Sequence, residues 1–108
     1  MDTALLLGRD PVFAWALHKV MADLGLALEH VYTLSEAKIR LERFSYRLIL
    51  LDGLRPEEVD TLGAVMHAGA NIILFDADPS QAPLEGMKVL SKDSPLQSTI
   101  ASLKESLR

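Results

Sequence analysis

The chain has 108 residues, 49% of them hydrophobic and 24% charged, with a net charge of −4. That length suits one domain, 1–108, able to bury roughly two-thirds of its unfolded surface and fold without staples. Cysteine is absent, which excludes disulfides, thiolate metal sites and cysteine nucleophiles. The acidic balance and the scattered lysines and arginines argue against a nucleic-acid partner, because phosphate binding needs a basic patch. No apolar run approaches the ~18 residues of a membrane span. The stretch Leu5–Leu7 is too short for a signal peptide and lacks a positive leader. A cytoplasmic protein is expected.

In chain order, Leu5–Gly8 reads as a short buried strand. Asp10 caps a helix with Pro11 at its first position, where a missing N–H costs nothing. Phe13, Ala16, Leu17, Val20, Met21 and Leu24 recur at helical spacing, and Gly25 ends the helix. Ala27–Tyr32 is a more amphipathic strand. Thr33-Leu34-Ser35-Glu36 is a capping box for a helix carrying Ala37, Leu41 and Phe44 on one face. Tyr46–Leu51 is nearly all apolar, as a parallel strand buried on both faces would be.

Pro56-Glu57-Glu58 opens a third helix through Val59, Leu62, Val65 and Met66, closing near Gly69. Asn71–Phe75 is another buried strand. Asp76–Gly86 holds Pro79, Pro83 and Gly86 and shows no helical stripe, so a full helix is not expected there. Met87–Leu90 is the last strand. Ser94 and Pro95 start a final helix with Leu96, Ile100, Leu103 and Leu107 on a narrow stripe. This alternation predicts a doubly wound α/β fold, flavodoxin-like, with a five-stranded parallel sheet of order 2-1-3-4-5 and helices on both faces. The fourth helix is shortened or missing. Function in such a sheet sits at the carboxyl ends of the strands.

Those ends carry the resemblance to a family. Leu48-Ile49-Leu50-Leu51-Asp52-Gly53-Leu54-Arg55-Pro56 and Val89-Leu90-Ser91-Lys92 resemble two signatures of response-regulator receiver domains. The resemblance implies a two-component signalling protein, with Asp52 at the phosphoacceptor position and Lys92 at the phosphate-binding lysine. Asp93 stands where the family has proline. Aligning Asp10-Pro11 with the family's acidic-proline pair puts Gly8 and Arg9 at the two acidic Mg²⁺-binding positions. Asp76 holds the Thr/Ser switch position, and Val89 the aromatic switch position.

Phosphorylating an aspartate this way needs Mg²⁺, which neutralises the phosphoryl oxygens and wants several oxygen ligands. Gly8 supplies none and Arg9 brings a cation. The leading expectation is a degenerate pseudo-receiver: no cofactor, no metal, no enzymatic activity, and action through protein contact. Arg9 and Lys92 would then pair with Asp52 and Asp76 as an ion cluster in place of a metal. The plainer readings are a solvated Arg9, a solvent-facing Lys92, and Asp10 and Asp52 as ordinary caps. Two rivals stand. One is a working phosphoacceptor, with Mg²⁺ on Asp10 and Asp52; the other is a small-ligand binder or enzyme using the strand-end crevice.

Trp15, the only tryptophan, falls opposite the first helix's apolar stripe, beside His18 and Lys19. With Leu84 of the shortened fourth-helix region it forms the candidate partner surface. The resemblance implies a sensor kinase or downstream signalling protein as partner, with a homodimer as the other use of that surface. His18, His30 and His67 lack metal-ligand spacing and read as surface histidines. No nucleophile elbow or phosphate-binding glycine loop occurs.

Overall fold

The computed structural model describes residues 3–63, 65, 71–75, 87–90, 100, 101 and 103–105. Its elements are β1 (Thr3–Leu7), α1 (Pro11–Asp23), β2 (Ala27–Val31), α2 (Leu34–Arg43), β3 (Leu48–Asp52), α3 (Pro56–Gly63), β4 (Asn71–Phe75) and β5 (Met87–Leu90). The strands form one parallel sheet in the order β2-β1-β3-β4-β5. This is the doubly wound order expected from the alternation of elements.

Period-two alternation divides the core between the two faces. Ala4, Leu6, Leu48, Leu50, Ile73 and Phe75 turn to one face, where α1 covers them through Ala14, Leu17, Val20 and Met21. Leu103 and Ile100 pack on that same face from backbone that is helical at Ile100, Ala101 and 103–105. Leu5, Leu7, Ile49, Leu51, Ile72 and Leu74 turn to the other face, under Ala37 and Leu41 of α2 and Val59 and Leu62 of α3. β1 and β3 have neighbours on both edges and cover on both faces, which is why their sequences are almost wholly aliphatic.

The caps act as the residue types require. Asp10 Oδ1 accepts the N–H groups of Val12 and Phe13, each at 3.1 Å. Gly25 has φ +78°, and the N–H groups of Gly25 and Leu26 donate back to Ala22 and Met21. That closes α1 with the glycine-dependent double bond of a left-handed C-terminus. At α2 the Thr33 hydroxyl accepts from the N–H of Glu36. The Glu36 carboxylate returns to the Thr33 hydroxyl.

Several boundaries move. β2 ends at Val31, so Tyr32 lies past the strand and is exposed. β3 starts at Leu48 and runs through Asp52. α3 ends at Gly63; Met66 and Gly69 lie outside the described residues. Phe44 leaves the buried stripe of α2. It sits at the C-cap with extended backbone, which swings its ring outward under the Arg40 guanidinium. The segment Asp76–Gly86, Ser94, Pro95, Leu96 and Leu107 all fall outside the described residues.

One polar cluster ties the β2 edge to the start of β3. Tyr46 is buried and donates its hydroxyl to the Glu29 carboxylate, and Arg40 lies 3.9 Å from the same oxygen. Burial first, and then the Glu29 carboxylate, push the phenol well above its ordinary range. A raised folded-state value means this contribution is whole below about pH 10, the free tyrosine value, and is lost as pH climbs past it. Tyr46→Phe should therefore lower stability by about 1 kcal/mol at neutral pH. It should also flatten the alkaline loss, both read from urea unfolding at a series of pH values.

Candidate functional site

The strand ends frame a cleft of about 520 Å³, lined by Gly8, Arg9 and Asp10 after β1, Tyr32 after β2, and Asp52 to Arg55 with Glu58 after β3. Parallel pairing places Leu7 opposite Leu51, so the next residues of each strand meet at the mouth. Gly8 is buried and Asp52 half-buried. A Cβ built on Gly8 would lie 2.9 Å from Asp52 Cβ and 3.2 Å from Asp52 Oδ2. No such carbon fits without displacing Asp52. The missing side chain therefore leaves the space against which the Asp52 side chain packs.

The backbone around this contact is pinned on both sides. Gly8 N–H donates to Val31 O, and Gly53 N–H, at φ +68°, donates to Phe75 O. His30 Nε2 stands 2.8 Å from Gly8 O. A carbonyl only accepts, so Nε2 carries the proton and donates. His30 is thus half-buried and structural, rather than the surface histidine expected.

Arg9 departs from its expected place. It is exposed, and among the described residues no ion pair joins it to Asp52 or Asp10. Its positive charge is felt instead by Glu58. Bridging half-buried carboxylates would strip a guanidinium of water, a cost that offsets the attraction. Asp10 is held by the start of α1, its Oδ1 taken by two backbone N–H groups. Asp76 and Lys92, the other partners of the expected cluster, lie outside the described residues.

Arg55 and Glu58 are the cleft residues that sequence reasoning passed over. Arg55 N–H donates to Glu58 Oε1 at 3.1 Å, and Arg55 Nε donates to the same oxygen at 3.2 Å. The backbone bond foremost, then the side-chain bond and the two arginine charges, hold Glu58 below the usual carboxylate range against the opposing effect of burial. The signal was present: Glu58 stands three residues past Arg55, the residue before the helix, where the acidic half of a capping box belongs.

Of the remaining candidates, Val89 is half-buried on β5 and packs on the face of α2 and α3. Trp15 is 63% exposed, with Lys19 Nζ 3.9 Å from its ring centroid; with His18 of α1 and Leu28, His30 and Tyr32 at β2 it lines a shallow groove between α1 and β2. Leu84 lies outside the described residues.

Among the described residues, the carboxylates lining this cleft are Asp10, Asp52 and Glu58. An octahedral site wants several oxygens converging at about 2.1 Å. Here one position has no side chain, the next presents a cation to water, and Asp10 gives an oxygen to a helix cap. Among the described residues no three acidic or histidine side chains converge.

This sheet order and cleft place can be compared with known structures. A two-component response regulator from Clostridium difficile matches with a TM-score of 0.82 and 20% identity, over 100% of this chain and 97% of its own. A CheY-like receiver domain protein from Methanospirillum hungatei matches at 0.81 and 17%, over 99% and 94%. The chain has the response-regulator receiver fold. A third receiver with that fold, from a sensor histidine kinase of Pseudomonas aeruginosa, has a magnesium ion coordinated in its active-site cleft; it matches at 0.77 and 19%, over 98% and 97%. No protein-family model matches the sequence, and no curated protein does. Among the described residues no helix is long and apolar enough to cross a membrane.

The Gly8–Asp52 contact makes a direct prediction. Gly8→Ala should cost about 1–3 kcal/mol, the range for a carbon forced into a packed site. The cost is read from the urea midpoint at unchanged slope. A loss under about 0.5 kcal/mol, the scale of an ordinary surface substitution, would mean that the strand ends part easily.

Proposed function

We propose that this chain is a pseudo-receiver, a signalling domain of the two-component response-regulator type that works without Mg²⁺-dependent phosphorylation. One observation carries the proposal. The first acidic position of the receiver pattern holds Gly8, and Asp52 packs into the space a side chain there would need. An acceptor aspartate set against backbone, beside an arginine that faces solvent, lacks the converging oxygens a phosphoryl transfer relies on.

The domain would then act as a protein-contact module in the cytoplasm and not as an enzyme. The receiver likeness supports this, since its matches include the receiver domain of a hybrid histidine kinase and that of a sensor histidine kinase. A sensor kinase or a downstream signalling protein is the partner class that follows. Fold alone leaves chemistry open, so the weight rests on the residues of the cleft.

The deciding experiment is incubation of the whole chain with Mg²⁺ and a small-molecule phosphodonor, followed by intact-mass measurement. The expected outcome is no gain of a phosphoryl group. A gain that disappears in Asp52→Asn would replace this reading with a working phosphoacceptor.

A further inference from the structure

Gly8 stands where β1 opens into the cleft, and two consecutive residues of β2 hold it there. Its N–H donates to Val31 O at 3.2 Å, and its carbonyl accepts from His30 Nε2 at 2.8 Å. The two bonds lie on either side of the Gly8 Cα, so together they fix that atom. Glycine has the widest backbone freedom of any residue, and its place depends on what holds its peptide groups. The atom fixed in this way is the one Asp52 packs against. A Cβ built on it would lie 2.9 Å from Asp52 Cβ.

Strand register explains how a β2 side chain reaches that carbonyl. His30 pairs with Leu6, two residues before Gly8, and parallel neighbours turn their side chains to the same face. Its ring therefore stands on the α1 side and points onward along β1 to Gly8 O. The Tyr32 ring, 4.2 Å away between centroids, packs against it. On the far side of the contact, Gly53 N–H is held by Phe75 O. One chain of bonds and contacts thus runs from His30 through Gly8 to Asp52.

We infer that His30 is a positioning residue for the cleft, acting through the Gly8 carbonyl to hold Asp52 in its place. The inference rests on the pseudo-receiver reading and adds the restraint that keeps such a cleft in one arrangement. An ion bound by ligands from two strand ends would brace them together. Here a bond from a β2 side chain to the β1 backbone takes that part. Groups joined in one hydrogen-bonded and packed network are energetically coupled, so a change at His30 is felt at Asp52.

NMR on the full chain carrying His30→Leu or His30→Gln provides the test. Leucine fills space without a donor, whereas the glutamine amide reaches about as far as Nε2 and can donate. His30→Leu should move the Asp52 carboxyl carbon resonance. It should also speed hydrogen exchange of the Gly8 and Gly53 amides roughly fivefold, the scale of one hydrogen bond. His30→Gln should restore most of both. His30→Asn, polar but too short to reach Gly8 O, takes the place of His30→Leu if the leucine chain does not fold. Three results would each overturn the inference: an unmoved Asp52 resonance, a glutamine chain no closer to the unaltered one than the leucine or asparagine chain, or exchange that quickens equally in all five strands. An unmoved Asp52 resonance would leave the pseudo-receiver reading standing. A phosphoryl gain on Asp52 of the unaltered chain would remove that reading and leave the His30 contact to be judged by its own resonances.

Discussion

The pairing of β1 with β3 is the constraint on which the rest depends. Each has a strand on either side and helices above and below, so Ala4–Leu7 and Leu48–Leu51 are wholly aliphatic. That requirement carries both strands through the core in register and ends them side by side. Parallel neighbours turn their side chains to the same face. Whatever stands at position 8 therefore competes for space with the residue at 52. The contact between Gly8 and Asp52 is a consequence of the core, expressed at its surface.

The cleft is polar, but its charges are largely engaged nearby. The start of α1 takes an oxygen of Asp10, Arg55 takes Glu58, and Arg9 faces water. A metal site asks for the reverse, in which several carboxylates remain under-satisfied until an ion arrives. Receiver architecture and receiver chemistry draw on different residues. The architecture rests on aliphatic strands and well-capped helices; the chemistry would rest on side chains at positions where those strands stop. The first can persist when the second is altered, because cleft residues contribute little to the core.

Strand alternation also sorts polarity across the sheet. Glu29 and His30 are adjacent in sequence, yet one joins Tyr46 and Arg40 beneath α2 while the other bonds Gly8 O on the α1 side. The acid is drawn to one face, and the α1–β2 groove keeps the rings of Trp15, His30 and Tyr32. His30 belongs to both regions, with its ring in the groove wall and its N–H on the cleft backbone. The groove and cleft are therefore one continuous piece of structure around Tyr32.

What the sequence determined by itself was the order of elements and much of their capping. Continuous apolar runs, Asp10-Pro11, Gly25 and the Thr33–Glu36 box are local signals whose physics acts within a few residues. The exposure of Trp15 followed from helical spacing in the same way. Tertiary structure decided what depends on distance between elements. Phe44 kept its place in the pattern and still turned outward, because backbone at the helix end set its direction. Arg9 looked like a partner for Asp52 on charge alone, but hydration held it outside. Gly8 read as a lost carboxylate, and only the approach of β3 turned that into space that Asp52 fills. In one dimension a glycine is an absence; beside a neighbouring strand it is room.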